Sequence, residues 1–209
     1  MTLTLYTNPM SRGRIARWML EETGAAYDTV VIDYGPRSPD FLAVNPMGKV
    51  PAIVHDGTVV TECAAICAYL ADAFPDAGLA PPLDRRGAYY RWLFFAAGPL
   101  EQAVASRSMG WSIDDPQKQG MLGFGSYDRT IDVLEAAVGA VGAGWLAADH
   151  FTAADLYVGA HLGWGTAFGT IPRRDVFVAF VDRVQGREAA QRANAKDDAL
   201  AAERQAQPG

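Results

Sequence analysis

"NPMGKVPAIVHDGTVVTECAAICAYLADAFP", residues 45–75, settles how the first part of the chain folds. Asp56-Gly57 lies between the apolar runs PAIV (51–54) and TVV (58–60), a signal for a hairpin. CAAICAYLADAF (63–74) then takes up helical spacing. The first strand opens on Pro51, a residue that fixes φ and cannot donate to a ladder. At a strand's first residue that is tolerated when the lost N–H is not needed or when the bond is cis. A cis Val50–Pro51 bond turns the N–H and C=O of Val50 away from the sheet, where a short peptide can pair like an added strand. A trans proline at a sheet edge is the alternative.

Upstream, LTLYT (3–7) reads as a strand, RIARWMLEETG (14–24) as a helix closed by Gly24, and TVVI (29–32) as a second strand, followed by a loop holding Gly35, Pro36 and Pro39. Glu21 and Glu22 read as solvated. Residues 1–75 are thus β-α-β, loop, β-β-α. Residues 76–85, with Gly78, Pro81 and Pro82, have no periodicity and read as a linker. Residues 86–209 read as an all-α domain. AYYRWLFFAAGPLEQAVAS (88–106) is a long helix kinked at Pro99, YDRTIDVLEAAVGAV (127–141) is amphipathic, and DLYVGAHLGWGTAFG (155–169), apolar on nearly every face, belongs at the centre. Phe151-Thr152-Ala153-Ala154-Asp155-Leu156 writes a capping box, which makes Asp155 structural. From Ala189 onward the chain is rich in alanine and charge and ends QPG, and reads as a fraying end.

With 209 residues, half of them apolar, the chain can bury one large core or two modest ones. A net charge of −6 argues against a nucleic-acid surface and a basic membrane face. No apolar run reaches the roughly 18 residues that span a bilayer, and MTLTLYTNPMSRGR lacks the plan of a secretory signal, so the cytoplasm is the expected compartment. Cys63 and Cys67 are the only cysteines, four apart on one helix, and with three scattered histidines they supply no zinc set; no metal is expected.

The 45–75 stretch resembles the soluble glutathione transferases, whose pattern NPxGxVPxL, hairpin, E-S-x-A-I-x-x-Y-L is met by Asn45, Pro46, Gly48, Val50, Pro51, Glu62, Ala65, Ile66, Tyr69 and Leu70. LYTNPMSRGRIARWMLEETG resembles that family's first strand, catalytic loop and first helix, and FTAADLYV its later helix start. The likeness implies a thioredoxin-like α/β domain (βαβ-ββα) followed by an all-α domain, glutathione as a substrate, and a homodimer. It also implies that Val50 pairs with the cysteinyl part of glutathione beside a cis Pro51.

Glu62 and Cys63 stand where a helix begins, so free N–H groups and the positive dipole end suit the γ-glutamyl carboxylate, and Glu62 its ammonium. Serine is usual where Cys63 stands, and a thiol is a weaker donor than a hydroxyl. Lys49 can reach the glycyl carboxylate. The thiol-activating hydroxyl is expected from Ser11, as in the serine-using classes, or from Tyr6, with Thr7 and Asn8 as lesser candidates. Met10, Met109, Trp111 and Trp164, with Phe124, are the expected walls of a pocket for a small apolar electrophile. Two other functions fit the same pattern: glutathione-dependent disulfide or peroxide reduction, and ligand binding without turnover.

Overall fold

The computed structural model describes residues 2–111 and 113–206. They form two compact units, the described residues of 2–79 with 186–206, and those of 80–185.

The first unit is built on a four-stranded mixed sheet, β1 (Leu3–Thr7), β2 (Asp28–Val31), β3 (Ala52–His55) and β4 (Thr58–Thr61), in the order β2-β1-β3-β4. β1 pairs parallel to β2 and antiparallel to β3, and β3 pairs antiparallel to β4 across the Asp56-Gly57 turn. α1 (Gly13–Thr23) supplies the crossover from β1 to β2, because a parallel pair cannot be joined by a tight turn. Gly24 closes it at φ 70°, the left-handed cap the sequence marks. Leu3, Leu5 and Thr7 alternate inward on β1, and Thr7 meets Gly13 of α1 on that face. Tyr6, of opposite parity, stacks on Phe41 at 5.8 Å.

Phe41 belongs to α2 (Pro39–Val44), a short helix where the sequence reads as loop; Ser38 caps it and Pro39 takes its first position. α3 (Cys63–Ala73) follows the hairpin and packs on α1, β3 and β4. Pro75–Ala77 and Leu83–Arg85 are single 3-10 turns on either side of the break between the units.

The second unit is helical: α4 (Gly87–Phe95), α5 (Glu101–Ser108), α6 (Pro116–Met121), α7 (Tyr127–Val141), α8 (Ala153–Ala167) and α9 (Asp175–Gln185). α4 runs into α5 through a π-helical segment, Ala96–Leu100, that contains Pro99; the wider turn is how the helix accommodates a residue without an N–H. Every residue from Phe151 to Ala160 is buried, and α8 packs on both α4 and α9. Asp155 accepts hydrogen bonds from Thr152 N–H (2.9 Å), the Thr152 hydroxyl (2.8 Å) and Leu146 N–H (2.7 Å), so its role is to cap. Burial pushes its carboxyl up, and those donors oppose the shift.

The end of the chain departs from the sequence reading. Glu188–Ala206 is a 19-residue helix, α10, packed on α1 within the first unit; the terminal QPG lies outside the described residues. Glu21 and Glu22 are not solvated either. Their side chains are 8% and 4% exposed, with Arg192 and Lys196 on Glu21 and Arg187 on Glu22. Among the described residues no helix is long and apolar enough to cross a membrane.

Candidate active site

β1 ends in a loop, Asn8 to Arg12, whose polar groups are almost fully assigned. Asn8 is buried, donates from Nδ2 to Ile32 O (2.8 Å) beyond β2, and accepts Met10 N–H at Oδ1 (2.9 Å). The Ser11 hydroxyl donates to Asn8 O (2.7 Å) and accepts Gly13 N–H (3.0 Å), so it ties the loop to the first residue of α1, one position before the N-cap Arg12. The Tyr34 hydroxyl donates to Met10 O (2.6 Å).

Gly13 is obligatory in this arrangement. A Cβ there would lie 1.9 Å from Thr7 Oγ1 and 3.0 Å from Ser11 Oγ. Thr7 Oγ1 is itself buried with no hydrogen-bond partner among the described residues. The four hydroxyl and amide candidates differ in their surroundings: Asn8 shapes the loop, Thr7 packs against α1, and the Tyr6 ring stacks on Phe41. Ser11 stands at the half-buried mouth of the helix.

The Val50–Pro51 bond is cis. The turn before it is drawn together by Asn45, which donates from Nδ2 to Lys49 O (2.7 Å) and accepts Met47 N–H (3.1 Å), and by Arg37 Nε on Gly48 O (2.8 Å). The β3 ladder begins at Ala52, so Val50 lies beyond it. Lys49 is exposed. Across β4, Glu62 holds φ 64° and ψ 117°, a conformation that L-residues avoid and that recurs at functional sites. It is exposed, caps α3 without a side-chain bond, and leaves the first turn of that helix without an acidic residue. Cys63 and Cys67 are free and buried; Cys63 Sγ lies 3.7 Å from Arg12 O, which places the starts of α1 and α3 side by side. A hydrogen bond with Cys63, then burial, raises the Cys67 thiol well above its ordinary value. Ser11, Glu62 and Cys63 are thus grouped around two neighbouring helix N-termini.

The proposed pocket walls divide. Met10 is an exposed residue of the first unit's loop. In the second unit Trp111 and Phe124, with Arg107, Ile113 and Tyr127, line a cavity of about 310 Å³. Met109, the exposed C-cap of α5, and Trp164, which packs on Phe168 near the end of α8, do not line it. Arg14 and Tyr34, both bonded to carbonyls of the Ser11 loop, escaped the sequence reading, although the RGR run at 12–14 draws attention to the first.

A β2-β1-β3-β4 sheet with α1 and α3 packed on it is the thioredoxin-like fold. Residues 1–72 match the family model described as glutathione S-transferase, N-terminal domain. The chain is 30% identical to glutathione S-transferase GST-4.5 of Xanthomonas campestris pv. campestris over 174 residues, covering 80% of this chain and 84% of that one. The solved glutathione transferase of Methylococcus capsulatus is 30% identical and matches with a TM-score of 0.77 over 94% of this chain and 99% of its own. A sphingomonad glutathione S-transferase complexed with glutathione is 26% identical, with a TM-score of 0.74 over 93% and 98%. The chain belongs to the glutathione S-transferase family of enzymes.

Proposed function

We propose that this enzyme transfers the thiolate of glutathione to small apolar electrophiles, with Ser11 as the donor that stabilises the sulfur anion. The observation that carries the reading is the placement of the Ser11 hydroxyl at the start of α1, accepting Gly13 N–H, in a loop with little freedom. The glutathione complex of the sphingomonad relative supports the choice of ligand. In this reading Val50 pairs with the cysteinyl backbone beside Pro51, the N–H groups at Cys63 and Glu62 receive the γ-glutamyl end, and Lys49 meets the glycyl carboxylate. The electrophile is assigned to the cavity of the second unit that Trp111 and Phe124 line. A second copy of the chain completes a cytoplasmic homodimer.

The energetics decide how much Ser11 can do. A thiol with a pKa of about 8.5 is only about 3% ionised at pH 7, and lowering it by two units requires about 2.7 kcal/mol. A hydrogen bond to a charged group contributes about 1.5–3 kcal/mol, but Ser11 must first release Asn8 O, at a cost of about 0.5–1.5. The hydroxyl alone therefore falls short. The start of α1, with no acidic residue in its first turn, adds about 0.3–1 kcal/mol of field. Together they support a shift of roughly one to two units.

Ser11→Ala is expected to raise the pKa of bound glutathione by about one unit or more and to lower kcat at least tenfold near neutral pH, with the glutathione Kd changed less than about twofold. Ultraviolet titration of the thiolate reads the first and calorimetry the last. An unshifted thiol pKa in the variant rules Ser11 out. A panel of an aryl halide, a hydroperoxide and a mixed disulfide separates transfer from reduction, and binding to glutathione with silence on all three favours a ligand-binding module. Serine cannot form the mixed disulfide that a cysteine-based reductase uses, which is why transfer is preferred.

A further inference from the structure

The carbonyls of the Ser11 loop have unequal partners. Asn8 O receives the Ser11 N–H and hydroxyl, and Ser11 O receives Arg14 N–H, all within the loop and the first turn. Pro9 O instead receives Arg14 Nε at 2.6 Å. The other arm of the same guanidinium reaches Asp198 of α10, Nη2 to Oδ1 at 2.6 Å. Arg14 is thus a strut between the residue two before Ser11 and a helix 184 positions further along the chain, and its side chain is only 19% exposed while that of Asp198 is 68% exposed. A second tie runs in parallel. Arg204 of α10 pairs with Asp33, whose neighbour Tyr34 donates to Met10 O.

We propose that Arg14 is a positioning residue for the thiol-activating hydroxyl, held in its working rotamer by Asp198 of the last helix. The inference rests on the reading of Ser11 given above. Its physical basis is the fixed fork of the guanidinium. With both arms engaged, one bond to Asp198 orients the Nε–H toward Pro9 O; with one arm free, the long side chain regains its rotamers and the carbonyl loses its donor. The turn that sets the Ser11 hydroxyl then loosens, and a donor displaced by a fraction of an ångström stabilises a sulfur anion less. α10 thereby becomes part of the active-site frame without touching a substrate.

The test is titration of the thiol of bound glutathione in the full-length enzyme and in Ser11→Ala, Asp198→Ala, Arg14→Met and Arg187→Gln. Asp198→Ala is the central variant, because it removes an exposed side chain from a helix that tolerates alanine, and its effect has a diagnostic sign. Taking away a negative charge lowers a nearby thiol's pKa if only the field matters. Loss of positioning raises it. We expect a rise of about half a unit or more in Asp198→Ala and Arg14→Met, a kcat lowered about three- to tenfold, and a KM for glutathione within about twofold of the parent. Arg187→Gln, which cuts the ion pair between Glu22 of α1 and the residue just before α10, remote from the loop, is expected to leave the pKa in place. A shift in Ser11→Ala without one in Asp198→Ala, or a downward shift in Asp198→Ala, overturns the strut while leaving Ser11 intact. Equal shifts in Asp198→Ala and Arg187→Gln overturn it too, by reducing the effect to general loosening of the interface. No shift in Ser11→Ala removes the reading beneath it and the inference with it.

Discussion

Cys63 stands where the family's pattern has serine, and the difference is a matter of one donor. Its side chain is buried at the first position of α3 with Sγ 3.7 Å from Arg12 O, so the thiol proton is directed at a backbone carbonyl through a weak bond. A hydroxyl is a stronger donor on a shorter arm. Cys63→Ser is therefore expected to tighten glutathione binding by about two- to tenfold, the worth of one ordinary hydrogen bond. Isothermal titration reads this directly. An unchanged or weaker affinity would mean that the side chain at 63 never meets the tripeptide and that only its N–H does. The sequence exposes this residue because the departure falls inside a motif of fixed register. It does not expose Gly13, whose place is dictated by Thr7 Oγ1 six residues earlier, on the preceding strand; adjacency across a strand-to-helix turn leaves no periodic trace.

At the scale of elements, the glycines of α8 show how close packing reverses an ordinary propensity. Glycine inside a helix costs about 1 kcal/mol relative to alanine when nothing touches it. Gly165 carries that cost because a Cβ would stand 2.4 Å from Ile171 Cδ1 and Cγ1, part of the tight return that follows the helix. Gly120 of α6 has nothing within 4 Å of the same position. Gly165→Ala is expected to destabilise the protein by about 1–3 kcal/mol through overpacking, and Gly120→Ala to be neutral or stabilising by up to about 1 kcal/mol. Urea unfolding of both variants checks the pair, and a common sign would defeat the argument. Elements of this kind divide by how their information is written. β1, α1, β3, β4, α3, α7 and α8 were legible because periodicity, a turn dipeptide or a capping box marks each locally. α2 hid behind Pro36 and Pro39, which signal a loop until Pro39 is recognised as a first helical residue after the Ser38 cap.

For the whole molecule, the helix that the sequence reads as a fraying end is the one that joins the two ends of the chain. α10 has almost no apolar stripe; beyond Ala189, Ala190 and Ala193 its buried face is Asp197. What it offers is charge in matching order. Arg14 and Arg17 of α1 meet Asp198 and Asp197, and Glu21 and Glu22 meet Lys196 and Arg192 of α10 and Arg187 just before it, so the partners run in opposite directions along two antiparallel helices. A pattern that needs its partner 165 or more residues away cannot be read from either helix alone.

The centre of this interface is the Arg17–Asp197 pair at 2.8 Å, with side chains 3% and 0% exposed. Arg17 Nη2 and Asp197 Oδ2 nevertheless lack partners among the described residues, so the pair does not recover all of its desolvation. Arg17→Met strands a buried carboxylate and is expected to cost about 3–5 kcal/mol at pH 7, whereas Arg17→Met with Asp197→Leu is expected to return to within about 1–2 kcal/mol of the parent. Burial already raises the Asp197 carboxyl against the pull of Arg17, and removing Arg17 raises it further. A carboxyl whose folded pKa exceeds its unfolded value favours the folded state at low pH and loses that contribution as pH rises through the folded value. The deficit of Arg17→Met should therefore shrink between pH 7 and pH 5 relative to the parent, and that of the double variant should not. Chemical denaturation at the two pH values measures both; a deficit independent of pH would show that lost packing of the arginine stem, and not the stranded charge, is what loosens the last helix from the first.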